Sequence, residues 1–155
     1  MFAQSRLSHQ RIGLTMGQGL IYGGQPVANW MVVDVVCVKP DDFLHLAAER
    51  MVVHRVGGLP VLDDEGNLVG MLTERDICGE VVLGGGRIDG ARVRDAMTTP
   101  VVAVQSEETM YGVAQRMRDN KFRRIPVLVG ERLVGIISQT DFLRKMPELI
   151  VEQRW

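Results

Sequence analysis

Apolar and polar positions along this chain follow one order of elements, and the order occurs twice. A short β-branched run comes first, Val35, Val36, Cys37 and Val38 or Val101, Val102, Ala103 and Val104, which favours an extended strand. Acidic residues follow at once, Asp41 and Asp42 or Glu107 and Glu108, where carboxylates complement the free amides of a starting helix. Apolar side chains then recur at Leu44, Ala47, Ala48 and Met51 and at Met110, Val113, Ala114 and Met117, the spacing of one buried helical face. A proline-containing strand comes next, Leu59-Pro60-Val61-Leu62 or Ile125-Pro126-Val127-Leu128. A turn leads from it to Leu68-Val69-Gly70-Met71-Leu72 or Leu133-Val134-Gly135-Ile136-Ile137, which makes a hairpin. A second helix is expected to begin right after each hairpin, so the predicted unit is strand, helix, strand, strand, helix.

The two units are copies. Residues 27–62 align without a gap on residues 93–128, and 68–76 align on 133–141 after a one-residue slip in the hairpin turn, where length changes cost least. Val27, Met31, Val35, Val36, Val38, Ala48, Arg50, Met51, Pro60, Val61 and Leu62 are identical to their counterparts. A repeat longer than a solenoid unit reads as a duplicated supersecondary element in which each half covers the other's apolar face. Function is therefore expected at the seam. The domain reading is an extension over residues 1–26, expected to be flexible because of its glycines and weak periodicity, then repeat one over 27–83. A Gly-rich linker over 84–92, repeat two over 93–146 and a tail over 147–155 complete it.

Each hairpin ends in a hydroxyl residue with an aspartate three positions on, Thr73-Glu74-Arg75-Asp76 and Ser138-Gln139-Thr140-Asp141. Two readings are open. The motif is a capping box, which needs no ligand. A helix N-terminus is also a ready anion site, and an aspartate one turn in can accept both hydroxyls of a ribose. Recurrence does not decide between them, because a duplicated cap would also recur.

Taken in order, several pieces resemble a tandem pair of CBS domains, the repeat of the cystathionine-beta-synthase type. They are Val93-Arg94-Asp95-Ala96-Met97-Thr98, Gly58-Leu59-Pro60-Val61, Arg124-Ile125-Pro126-Val127, and the run from Leu68 to Asp76. The resemblance implies an α+β fold of two β-α-β-β-α repeats packed sheet to sheet about a pseudo-two-fold axis, commonly as a homodimer. It also implies clefts that bind adenosine-containing ligands, with an adenine nucleotide or S-adenosylmethionine as regulatory ligand and no required cofactor. By position, Asp76 and Asp141 would hold ribose hydroxyls, and Thr73 and Ser138 would meet phosphate. Val35, Val101, Leu59, Pro60, Ile125 and Pro126 would line the adenine slot. Arg123 and Arg124 are placed to reach a di- or triphosphate, which the planar guanidinium suits. The first copy departs from this pattern: Asn29 and Trp30 stand where the second has Asp95 and Ala96, and Val32-Val33-Asp34 where it has Thr98-Thr99-Pro100. Unequal sites are expected, with Trp30 filling a pocket or sealing an interface.

Composition narrows the partners. A chain of 155 residues with formal net charge −1 carries no global basic field for nucleic acid or an anionic membrane surface, and neither partner is expected. No apolar run approaches a membrane span, and the N-terminal region does not read as a secretion signal, so a cytoplasmic location is expected. Cys37 and Cys78 stand alone and read as buried structural thiols. His45 and His54 lie off the spacing that places two ligands on one helix face, and no metal site is expected. Lys121, Arg123 and Arg124 with Arg116 and Arg118 read first as a solvated helix end. No nucleophile, base and orienting acid come together, so the chain reads as a regulatory or sensory module and not an enzyme. Its ligand would act on a dimer or on an unidentified regulated protein. The alternative is a ligand-free dimerisation or scaffold protein in which Thr73 and Ser138 only cap helices.

Overall fold

The computed structural model describes residues 24–151; residues 1–23 of the expected N-terminal extension and 152–155 of the expected tail lie outside the described residues. A 3-10 turn, Val27–Asn29, precedes the first repeat. Helix α1 (Leu44–His54), strands β1 (Gly58–Leu62) and β2 (Leu68–Thr73) and helix α2 (Glu74–Leu83) follow. The short helix α3 (Val93–Ala96) leads into the second repeat. That repeat contains β3 (Val104–Gln105), α4 (Met110–Asn120), β4 (Arg124–Val129), β5 (Arg132–Ser138) and α5 (Gln139–Val151). The architecture is mixed α+β with two small sheets, β1-β2 and β3-β4-β5, each built on an antiparallel hairpin.

The leading strand of each repeat is shorter than its β-branched run predicts. β3 keeps two residues parallel to β4, and in repeat one a single bridge joins Val38 to Val61. The upstream valines Val35 and Val101 stand instead at the mouths of concavities. The acidic pairs also act one step earlier than expected. Asp42 accepts a hydrogen bond from Lys39 N (3.0 Å), and Glu108 accepts one from Gln105 N (2.9 Å), which closes the turn ahead of each helix. The identical arginines explain themselves here. Arg50 donates to the Cys37 carbonyl (2.9 Å) and reaches Asp42, while Arg116 donates to the Ala103 carbonyl (3.2 Å) and pairs with Glu108 at 2.9 Å. Each ties strand to helix.

Two hydrophobic cores form, one per repeat, and each takes side chains from the other repeat's lead-in segment. Val27 and Trp30 lie in the second core beside Val104, Met110, Val113, Ile125 and Ile137. Val93 lies in the first beside Leu44, Ala47, Leu59 and Leu72. Backbone bonds fix the exchange: Val27 N to Glu108 O (2.8 Å) and Val32 N to Ile136 O (2.8 Å) on one side, Val93 N to Asp42 O (2.9 Å) and Thr98 N to Met71 O (2.8 Å) on the other. Gln25 joins in, its carbonyl accepting from Met110 N at 2.8 Å. Trp30 thus fills a core position, 2% exposed, with its ring centroid 5.5 Å from that of Phe142.

The glycine inside each hairpin's second strand has a packing reason. Met97 lies over Gly70 and Met31 over Gly135, so that a Cβ on either glycine would land on the methionine sulfur and crowd its Cβ. The methionine identity shared by the copies is thereby matched to a glycine identity across the seam. One expectation fails: Cys78 is exposed on α2, whereas Cys37 is half-buried with its thiol pKa raised by burial. The outward face of the short helix α2, which has no buried residue, is the cause.

Overpacking of this kind costs about 1–3 kcal/mol. Gly70→Ala and Gly135→Ala are therefore each expected to lower urea-unfolding stability by about that amount, with partial recovery when Met97→Ala accompanies Gly70→Ala. Wild-type midpoints for the single variants would contradict the close packing.

Candidate functional site

The Thr/Ser-x-x-Asp motifs fold into complete capping boxes. Thr73 N donates to Asp76 Oδ2 at 2.7 Å, the Thr73 hydroxyl donates to the same oxygen at 2.6 Å, and Asp76 N donates back to Thr73 Oγ1 at 3.3 Å. Ser138 and Asp141 repeat the pattern at 3.0, 2.5 and 3.1 Å. The first helical amides are also satisfied, Glu74 N by Gly57 O (3.2 Å) and Gln139 N by Arg123 O (2.9 Å). Both hydroxyl protons are thus directed at carboxylates. The groups left for anything outside the box are the second oxygen, Oδ1, of each aspartate and the amides of Arg75 and Thr140, which have no acceptor among the bonds that cap the two helices.

Each box opens on a cleft whose far wall comes from the other repeat. The larger cleft, of about 630 Å³, joins Thr73, Glu74, Arg75 and Asp76 to Thr98, Pro100 and Val101 and to the segment from Asn120 through Arg124, with Pro126. The smaller, of about 450 Å³, joins Ser138, Gln139, Thr140 and Asp141 to Asp34, Val35 and Val36 and to the segment from Arg55 through Gly58. Both volumes fall within the range of small-molecule sites, about 300–1,000 Å³. Of the residues expected from sequence, Thr73, Asp76, Val101, Arg123, Arg124 and Pro126 meet in the larger cleft, and Ser138, Asp141, Val35, Arg123 and Arg124 in the smaller. Leu59 and Ile125 are fully buried core side chains, and Pro60, buried within β1, lines neither cleft. Strand alternation turns Leu59 and Ile125 toward the cores, while Pro60, one residue on, lies on the opposite face of β1 and is buried there.

Cations gather on the shared wall. Arg123 and Arg124 line both clefts, as does Gly57. Arg55 and Lys121 hold the same position in the two repeats, each ending its helix in the left-handed region at φ 54° and 58°, and they line the smaller and larger cleft respectively. A non-glycine residue rarely adopts that conformation, and such residues concentrate at functional sites. Arg55 is not among the residues expected from the sequence, and its alignment with Lys121 is the signal that points to it. The basic cluster read as a solvated helix end divides: Arg116 and Arg118 are held by Glu108 and Asp119, while Lys121, Arg123 and Arg124 face the larger cleft. Burial lowers the Arg124 pKa, Glu74 raises it, Arg123 lowers it and Asp141 raises it. Glu74 and Arg75 of the larger cleft correspond to the uncharged Gln139 and Thr140 of the smaller, and Asp34 of the smaller corresponds to Pro100 of the larger. Among the described residues no cluster of three His, Cys, Asp or Glu is close enough to hold a metal ion, and the exposed His45 stacks on Phe43 at 5.5 Å.

Comparison with known proteins agrees with this architecture. The family model for the CBS domain matches residues 27–83 and 93–148, so the chain belongs to the CBS-domain family, as a tandem pair. An uncharacterized protein of Methanocaldococcus jannaschii is 36% identical over 121 residues, which is 77% of this chain and 42% of that one; the chain thus spans less than half of that relative. Hypoxic response protein 1 of Mycobacterium tuberculosis is 32% identical over 123 residues, covering 79% of this chain and 86% of that protein. A crystal structure of Hypoxic Response Protein I with two coordinated zinc ions superposes at TM-score 0.70 over 79% of this chain and 99% of that one, at 30% identity. The structure of CBSX2 in complex with AMP matches at TM-score 0.71 with 28% identity, over 84% of this chain and all of that one (100%).

A cap of this kind contributes about 1 kcal/mol. Thr73→Ala and Ser138→Ala are each expected to lose about that much in denaturant unfolding without ligand. An unchanged unfolding midpoint would show that the boxes bear no structural load.

Proposed function

We propose that this chain is a regulatory or sensory module whose two clefts between CBS repeats bind an adenosine-containing ligand, AMP, ADP, ATP or a related molecule such as S-adenosylmethionine. The observation that carries the reading is the composition of each cleft. A helix N-terminus with an aspartate oxygen and an amide to spare faces an apolar strand residue and a cation-bearing wall supplied by the other repeat. The aspartate oxygen suits ribose hydroxyls, the flat apolar edge at Val101 and Pro126 or at Val35 and Val36 suits a purine face, and the arginines suit phosphate. The complex of CBSX2 with AMP, a related tandem pair, supports the choice of ligand class. Such a module carries out no catalysis and needs no cofactor. Ligand binding shifts the balance between two arrangements of a homodimer, or of a regulated partner, by the difference in its affinity for them. A cytoplasmic setting fits this role, and no helix among the described residues is long and apolar enough to cross a membrane.

One observation favours the second reading, a ligand-free scaffold: both capping boxes are closed, with each hydroxyl already bonded to its aspartate. Calorimetry separates the two. AMP, ADP, ATP, S-adenosylmethionine and NAD are titrated into wild type and into the variant carrying Asp76→Ala and Asp141→Ala. Saturable binding by wild type and at least about tenfold weaker binding by the double variant, as expected when a charged hydrogen-bond acceptor is removed from each cleft, is the predicted outcome. Equal affinity in both proteins would overturn the assigned site.

A further inference from the structure

Gly58 and Arg124 occupy the same position in the two repeats, and the pseudo-symmetry brings these positions against each other. A Cβ on Gly58 would lie 2.7 Å from Arg124 Nη1 and 3.0 Å from its Cδ, and one on Gly57 would lie 2.6 Å from Nη2. The seam therefore has room for one long side chain, and Arg124 takes it across the two glycines. From there Arg124 borders both clefts. It is also under the influence of a carboxylate from each, Glu74 of the larger and Asp141 of the smaller. Glu74 Oε2 lies on the same side of Gly57, 2.9 Å from where its Cβ would be, yet Arg124 forms no ion pair within 4.0 Å and no side-chain hydrogen bond with any described residue. A half-buried guanidinium left without a partner is a strong attractor for an anion, since its donors are already partly stripped of water.

We infer that Arg124 is a single phosphate-binding group shared by the two clefts, so that a phosphorylated ligand in one cleft weakens phosphate binding in the other. The inference rests on the nucleotide reading above and adds the coupling. The guanidinium fork is planar and gives its paired donors to one phosphate at a time. Once it is turned to one cleft, the other loses that contact and faces the charge of the bound phosphate across a thin wall of glycine backbone. An uncharged nucleoside, which does not use the fork, is indifferent to its orientation. Two unequal clefts with one movable cation would thus report the first phosphate bound and resist the second.

The test is a set of calorimetric titrations with AMP and with adenosine. Asp141→Ala leaves the larger cleft to be measured alone, and Asp76→Ala leaves the smaller; together they give the two intrinsic affinities for each ligand. Wild type titrated with AMP is expected to show a second step at least about tenfold weaker than the weaker intrinsic affinity, a coupling of the size usual between linked sites. Adenosine titrations of wild type should equal the sum of the two single-cleft curves, and AMP titrations of Arg124→Ala should do the same at lower affinity. Adenosine binding by Arg124→Ala serves as the check that this variant is folded. AMP binding to wild type that equals the sum of its single-cleft curves or is positively coupled, or AMP binding by only one of the two single-cleft variants, overturns the shared arginine while leaving the nucleotide reading in place. Failure of wild type to bind either AMP or adenosine overturns both.

Discussion

The reciprocal crossing of the lead-in segments is the contact on which everything else depends. Val27 and Trp30 complete the core of the second repeat, Val93 completes that of the first, and Met31 and Met97 settle onto Gly135 and Gly70. A large apolar side chain such as Trp30 contributes several kcal/mol when fully buried, on the order of the 3–5 lost when one is cut back to alanine. Neither repeat keeps a full core without the other's segment. The crossing also sets the geometry of the clefts. The chain that leaves the second core at Val32 must pass Asp34 and Val35 beside Ser138, and the chain that leaves the first at Thr98 must pass Pro100 and Val101 beside Thr73. Fold and clefts have one cause.

Much of this was legible in the sequence. The duplication, the helical stripes at Leu44, Ala47 and Met51 and at Met110, Val113 and Met117, the hairpins and the helix starts at Thr73 and Ser138 all follow from local periodicity and turn chemistry. What periodicity cannot carry is the identity of the partner across a contact. The identity of Val27 with Val93 marks a shared position but does not say that each is buried in the other repeat. The same limit explains Leu59 and Ile125: an apolar residue beside a cleft motif can face the cleft or the core, and strand alternation turns both into the core. Arg55 was hidden for a different reason. Its left-handed backbone is set by how the chain must turn from α1 into β1, which no side-chain pattern announces.

Capping and the proposed ligand binding draw on the same few atoms, and the two roles are compatible because a carboxylate has two oxygens. One closes the box, and the other remains for a donor from outside. The closed box holds each aspartate in a fixed orientation, which lowers the entropy lost when a ligand engages it. Charge then separates two clefts that share this geometry. The larger holds Glu74 and Arg75 where the smaller holds Gln139 and Thr140, and the smaller holds Asp34 where the larger holds Pro100. Duplication supplied the scaffold, and these substitutions make its two halves unlike.

The central claim is that ligand recognition takes place across the seam, with each cleft drawing on both repeats. Amide NMR of the full chain titrated with AMP tests it most directly. Shifts concentrated at residues 73–76 together with 121–124, and at 138–141 together with 55–58, are the predicted result. Shifts confined to segments of one repeat, or spread over the exposed helix faces with these amides unmoved, would contradict it.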